Sequence, residues 1–419
     1  MTRQLRFRRI AAGAAAGVAL KLSQLATSLI VLPLTLHTLG FAGFGVWSAA
    51  TSIAWLSYLL DLGLGSALVT LLPRAQGDSA RHDVTAALTA GAALCILALA
   101  GLATARGTLS APFLVAGFAI ALNIPLSIGN EIWLGLQKSY VSALCQIASN
   151  LLTTALLIAA CAQGWGVTAM TGIVYAAMLA ANSVSLAAAL LTHPALRPHG
   201  FATLAVMRRV AMQGSQMFAI TVASLCAFGF DNVLALAWAG PEAAGRIAIA
   251  LRVCTTATGL IGLVTQPFWP GFADAIAAGD RVWLRRTVFV GTLVTGALAV
   301  AGSVLMYFVA SPLLRWWLHA DIDLAPGLLL IMGAWITLAV VTHIPGLLLN
   351  AALQLRPQIA VLGTAAAIGF ALKFFGVKLY SIAGILAAPP LVELVLVVPA
   401  YLYLAAAWLD KPDVADNKS

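Results

Sequence analysis

Charge is what this chain has least of. Its 419 residues include 14 Asp and Glu and 23 Lys and Arg, so only 9% are charged. An average soluble domain carries about 25%, and a chain this long with so few charges has no surface to show to water. Large polar segments are missing too, which leaves no room for an extramembrane catalytic domain. The five cysteines (Cys95, Cys145, Cys161, Cys226 and Cys254) lie in or at the ends of apolar stretches without paired spacing. That excludes a disulfide framework and a thiolate metal site, and leaves them as small core residues. His37, His82, His193, His199 and His319 fall in loops and His343 stands alone in an apolar run, so no metal is expected and no cofactor. The glycine-rich Gly40–Gly45 precedes an apolar helix and follows no strand, so it is no nucleotide fingerprint. Residues 1–9 carry four arginines, but the apolar run after them is a full span without a small-residue cleavage site, so a removable signal peptide is not expected.

What the chain has in abundance is apolar length: 62% of its residues are hydrophobic. A hydrocarbon core about 30 Å thick needs roughly 20 apolar residues per helix. Inside it only helices or closed barrels satisfy every backbone group. The apolar runs are continuous rather than alternating, which predicts helices. The expected fold is an all-α polytopic membrane protein with about twelve spans, at 10–36, 45–72, 83–104, 109–135, 140–161, 166–192, 209–237, 245–273, 287–310, 325–352, 357–377 and 381–408. Turn chemistry separates them, as in Ala239-Gly240-Pro241-Glu242 and Ala278-Gly279-Asp280. The longest polar break, with Pro194, Pro198 and Gly200, gives the expected organisation: an N-terminal lobe 1–192, a cytoplasmic linker 193–208, a C-terminal lobe 209–410 and a cytoplasmic tail 411–419.

Lys and Arg set the expected orientation. With the N-terminus inside, sixteen fall in cytoplasmic segments, four (Arg106, Arg246, Arg315 and Lys378) fall outside, and Lys21, Arg252 and Lys373 fall within helices. Both termini are then cytoplasmic. The same asymmetry accounts for the net charge of +9, because basic inner loops meet anionic lipid headgroups. Membrane lipids are thus expected partners, and nucleic acid is not.

The second half echoes the first at an offset of about 200 residues. Gly40 and Gly45 close the first hairpin, Gly240 and Gly245 the corresponding later one. Gly77-Asp78 before Arg81 is matched by Gly279-Asp280 before Arg281, and the exit Leu136-Gln137-Lys138 by Leu353-Gln354-Leu355-Arg356. Six helices per half preserve orientation, so the expectation is two six-helix lobes related by a pseudo-twofold axis along the membrane normal. Such a repeat suits alternating access by rocking one bundle against the other.

From Pro33 to Leu72 the chain reads PLTLHTLGFAGFGVWSAATSIAWLSYLLDLGLGSALVTLL. This segment resembles the opening of Wzx-type polysaccharide flippases of the multidrug/oligosaccharidyl-lipid/polysaccharide exporter superfamily. A Leu-Gly followed by Gly-x-Trp marks the first outer turn, and Asp61, Gly63 and Gly65 form the Asp-x-Gly-x-Gly of the second helix. The Leu-Gln-Lys exit, Asp231, the Gly-Asp pairs and Pro267-Phe268-Trp269-Pro270 are similar too. The resemblance implies a twelve-helix exporter fold, and as partner a polyprenyl-diphosphate-linked oligosaccharide moved to the outer leaflet. It also implies that Trp269 faces the cavity. It leaves open an association with polysaccharide polymerase machinery.

An ionisable group at bilayer depth costs about 2.5–3.5 kcal/mol on insertion scales and is a functional candidate by default. Lys21 lies roughly 16 Å into the first helix, beside Ser23, Gln24, Thr27 and Ser28. Lys21 and Gln24 are candidates to line the cavity and meet a diphosphate, the alternative being a lysine satisfied by a protein partner. Asp231 and Arg252 have matching depths and are expected to meet, as a structural ion pair or as a gate that breaks when the headgroup binds Arg252, which makes Arg252 a cavity candidate as well. Glu393, after Pro389-Pro390, is a candidate proton-coupling residue or a neutral core acid. Asp61, with Gly63 and Gly65, is expected to be structural or a hinge. Glu131 and Lys373 are read as solvated near helix ends and carry no role. Trp165, Trp238, Trp316, Trp317 and Trp408 fall near helix ends, as an interfacial belt does.

The function expected is therefore a lipid-linked oligosaccharide flippase in a bacterial inner membrane, with no covalent chemistry and so no enzyme activity. A cation-coupled multidrug exporter of the same fold is the alternative. The buried acids and bases (Asp61, Asp231 and Glu393 against Lys21 and Arg252) are too nearly balanced to separate the two. A glycan polymerase or ligase would need a sizeable outer loop, and the outer breaks here are short.

Overall fold

In the computed structural model, residues 3–72, 78–200, 202–224, 230–265, 268–318 and 325–410 are described. Among them every regular element is helical, and ten helices are long and apolar enough to cross a membrane. The first of the ten joins two expected spans. Helix α1 (Arg3–Ser52) is two rods meeting at Gly40, whose φ of 66° and ψ of 173° lie outside the helical region. The second expected span then breaks again, through a 3-10 turn (Ile53–Trp55), α2 (Leu56–Leu60) and α3 (Leu64–Leu71).

Four uninterrupted helices follow: α4 (Ser79–Ala105), α5 (Ala111–Gly135), α6 (Ser139–Ala162) and α7 (Val167–Thr192). The seventh and eighth expected spans correspond to α8 (Leu204–Ser224) with α9 (Asp231–Ala239), and α10 (Pro241–Thr265) with α11 (Phe268–Ala278). The last four are α12 (Arg281–Leu318), α13 (Pro326–Ala351), α14 (Leu355–Tyr380), and α15 (Ile382–Val392) continued through a π turn (Glu393–Val397) into α16 (Val398–Leu409).

The chain forms two compact units, Met1–Val222 and Ala223–Ser419. The division falls within the expected seventh span rather than at the 193–208 loop, because α8 packs into the first unit. Its Val210 is buried with Leu64, Ala67 and Ala86, its Arg209 is ion-paired with the buried Asp83, and Gly214 lies backbone-to-backbone on Gly63.

Helix α5 is the hub of the first unit, packed by α7, α4, α3 and α6. Polar side chains join its neighbours where lipid offers no hydrogen-bond partner. Asn130 donates to Asn182 at 2.9 Å, Asn182 donates to Asn123 at 2.6 Å, and Ser142 and Ser185 donate to Asn130 at 3.0 and 2.7 Å. On α1, one face is spent on α6. Asn150 donates to Ser23 at 3.0 Å and Thr154 to Thr27 at 2.9 Å.

Helix α13 is the hub of the second unit, packed by α12, α11, α15 and α16. One core cluster joins its Ile344, Leu347 and Leu348 to Phe272, Leu284 and Ala405. Helices α14 and α15 cross so closely at Gly376 and Gly384 that a Cβ on either would overlap the other's backbone, as small residues permit between membrane helices.

The two hubs end alike. At the end of α5 the Lys138 N–H donates to Trp133 O at 2.8 Å, and after α13 the Gln354 N–H donates to Leu349 O at 2.9 Å. Each six-residue closure passes through a non-glycine residue of positive φ, Gln137 (57°) and Leu353 (56°). The backbone therefore matches Gln137 with Leu353, one residue off the letter match of Gln137 with Gln354. Gly40 and Gly240 also share a conformation, with φ of 66° and 89° and ψ of 173° and 172°.

Candidate functional site

The intramembrane charges sort into four settings. The first is the break between α2 and α3. Asp61 accepts from the Gly63 N–H at 2.8 Å and the Gly65 N–H at 3.4 Å, so its carboxylate caps the donors that open α3. Gly63 enters that helix at φ 79°. Gly65 leaves room for the acids on either side. A Cβ there would lie 2.6 Å from Glu131 Cγ and 3.1 Å from Asp61 Oδ2. Glu131 is thus packed over the break, not simply solvated at a helix end as the sequence suggested. Asp61, Gly63 and Gly65 form one bend, and Asp61 is committed to backbone.

The second setting is a buried ion pair. Asp231 and Lys373 are 3% and 1% exposed, and the Lys373 ammonium donates to the Asp231 carboxylate. This corrects the expected pairing of Asp231 with Arg252. Helix α14 runs on to Tyr380, so Lys373 lies about 10 Å inside its end and not in the solvated turn the sequence reading gave it. Asp231, at the first position of α9, turns its carboxylate to α14. Beyond the pair, Trp238 packs edge-on to Phe370 and Phe374, with ring centres 6.2 and 5.2 Å away.

The third setting is exposed. Lys21 and Gln24 are exposed on α1, and Arg252 and Thr255 on α10. Among the described residues neither cation has an ion-pair partner. Lys21 lies on the side of α1 away from Ser23 and Thr27, the two residues spent on α6. Gly17, about one turn before Lys21, faces open space, as do Gly259 and Gly262 about two and three turns beyond Arg252. Each cation therefore stands on an uncovered helix face with little side-chain bulk. A cation at that depth facing lipid carries an insertion cost of about 2.5–3.5 kcal/mol.

Glu393 is buried, 8% exposed, at the start of the π turn. Trp269 is in α11, with its side chain outside the described residues, and Pro267 and Cys226 also lie outside them. Depth alone pointed to Lys21, Arg252 and Asp231. What it missed was Lys373, whose signal was the apolar run continuing past it through Phe374, Phe375 and Val377.

Solved membrane transporters are similar in fold. An inward-facing multidrug resistance MATE family transporter of the MOP superfamily superposes with a TM-score of 0.65 at 13% identity, covering 91% of this chain and 94% of its own. The lipid II flippase MurJ, in an inward closed conformation, gives 0.70 at 13% identity, covering 94% and 88%. An outward-facing MATE family transporter gives 0.56 at 13% identity, covering 97% of each chain. Comparison with curated proteins finds no match. At these identities the likeness is one of fold, and it agrees with the resemblance read from the first hairpin. The family assignment rests on sequence: the family described as polysaccharide biosynthesis protein matches residues 14–275, well over half the chain, and the chain belongs to that family.

Proposed function

We propose that this chain is a flippase that carries a polyprenyl-diphosphate-linked oligosaccharide repeat unit from the cytoplasmic to the outer leaflet of a bacterial inner membrane. It works by alternating access, with both termini cytoplasmic, and serves surface polysaccharide biosynthesis. The pseudo-twofold repeat of two lobes belongs to the same proposal, supported by the matched hub exits and the matched Gly40 and Gly240. No bond is made or broken, so the chain is a transporter and not an enzyme.

One observation carries the choice of cargo. The balance of acids and bases in the sequence dissolves once each is placed: Asp61 caps backbone donors, Asp231 is neutralised by Lys373, and Glu393 is buried. Among the described residues, the exposed charges deep within spans, away from the helix ends where Arg246, Arg315 and Lys378 lie, are Lys21 and Arg252. A transport face lined by cations attracts an anionic headgroup, and a diphosphate offers several acceptor oxygens for charge-assisted hydrogen bonds. Family membership and a lipid II flippase of like fold support the same reading.

The second reading, export of cationic drugs, is favoured by the multidrug transporters of like fold. Vesicles holding the purified chain separate the two when offered a fluorescent polyprenyl diphosphate disaccharide or a cationic dye. The flippase reading predicts movement of the lipid-linked sugar that the dye does not inhibit. Dye transport with no movement of the sugar would replace it with the exporter.

A further inference from the structure

Glu393 sits where the last helix departs from α geometry, and the sequence says why. Pro399 has no N–H to give, and in an α-helix its ring would press on the Val395 carbonyl. The helix relieves that crowding by widening into the π turn Glu393–Val397, where the Val398 N–H donates back to Glu393 O. Single π turns of this kind recur at functional positions.

The widened turn holds an acid in apolar company. The core around it is Leu349, Ala365, Val392, Val397 and Tyr401, contributed by α13, α14, α15, the turn itself and α16. Glu393 Oε2 is buried with no hydrogen-bond partner among the described residues.

The charged and titratable groups on the packed elements are few. Tyr401 is on α16. Helix α15 has none. Lys373 on α14 is held by Asp231 of α9. Because Gly369 lies against Val392 and Gly376 against Gly384, Lys373 stands level with Ala387 and Ala388, about one and a half turns from Glu393. On α13 the titratable group is His343, and on α10 the groups are Glu242 and Arg246 near its start, Arg252, which is exposed, and the buried Cys254. Among the described residues no counter-cation meets the carboxyl. An ionised carboxylate with an unpaired buried oxygen is so costly that the group takes up a proton instead.

We propose that Glu393 is an exchangeable proton site: its carboxyl is protonated in the conformation seen here and releases the proton to water when the helices packed on the π turn move apart during transport. Proton uptake and release at Glu393 then accompany each transport cycle, with the proton leaving as hydronium and the carboxylate rebinding one from the other side. This rests on the transport reading above but not on the choice of cargo.

The test uses the purified full chain and two readouts. In pH-induced infrared difference spectra, the wild type should lose a protonated-carboxyl band as pH rises. Glu393→Gln should lack that band, and Glu393→Asp should keep it with a shifted midpoint. In vesicles carrying the fluorescent polyprenyl diphosphate disaccharide, a proton gradient should speed wild-type movement several-fold and leave the Glu393→Gln rate unchanged. A band that persists in a folded, monodisperse Glu393→Gln protein, or gradient stimulation retained by it, overturns the proposal. If neither protein moves the disaccharide while the band titrates as expected, the flippase reading fails and the proton site stands. The gradient test then runs with the cationic dye.

Discussion

Lys373→Met is expected to lower the unfolding free energy of the chain by about 3–5 kcal/mol, the range for a buried ion pair stripped of one partner. Asp231 is 3% exposed and has no other ionic partner among the described residues, so the single change leaves an acid in an apolar setting. The acid must then stay charged at high cost or take up a proton. Asp231→Leu should also be destabilising, because the buried ammonium loses its Asp231 partner. The double change, which removes both charges, should recover most of the loss, since well-packed apolar replacements of buried pairs are often neutral or better. Denaturant unfolding of the four proteins in one detergent gives the coupling directly. Additive losses in the double variant would show that the two side chains do not form the pair described. Arg252→Gln serves as the control. Its side chain is exposed and has no ion-pair partner among the described residues, so its stability should stay within about 0.5 kcal/mol of wild type.

The second large effect is on transport and not on stability. Lys21→Gln and Arg252→Gln should each slow movement of a lipid-linked oligosaccharide roughly 10- to 150-fold, equivalent to losing a charge-assisted hydrogen bond of about 1.5–3 kcal/mol. Arg252→Lys keeps the charge and should retain most of the rate. The sign of the effect on a cationic dye is the sharper readout. If the chain were a drug exporter, removing a cation from the transport face would leave dye export unchanged or raise it. Unchanged sugar movement in both glutamine variants would remove Lys21 and Arg252 from the path.

Much of this architecture is legible in the sequence because a bilayer is a severe solvent. Every span must be long, apolar and helical, and its ends must carry turn residues, so the expected stretches and the helices coincide closely from α4 to α7 and from α12 to α16. The interruptions were harder to place. Asp61-Leu62-Gly63 was read as a hinge from its glycines, but the extra break at Ile53–Trp55 lies in an apolar run with no proline or glycine to announce it. The π turn was foreshadowed by Pro389-Pro390, yet Pro399 is the residue placed to cause it.

At the site, depth along a helix was readable and direction was not. Asp231 and Arg252 have similar depths, and that made them look like partners. Which way each side chain turns depends on how α9, α10 and α14 pack, and that packing gives Asp231 to Lys373 and leaves Arg252 exposed. The same ignorance of direction hid the division of labour between acids and bases, and with it the argument for an anionic cargo.

The central claim is that the cargo is a lipid-linked oligosaccharide, and its most direct test is made in a strain lacking this gene. Polyprenyl-linked lipids are extracted, and the membrane face of their sugars is read by protection from an impermeant glycan-modifying reagent. The flippase account predicts a complete repeat unit trapped facing the cytoplasm, loss of surface polysaccharide, and reversal of both by the wild-type chain. Normal surface polysaccharide with no trapped intermediate would contradict it.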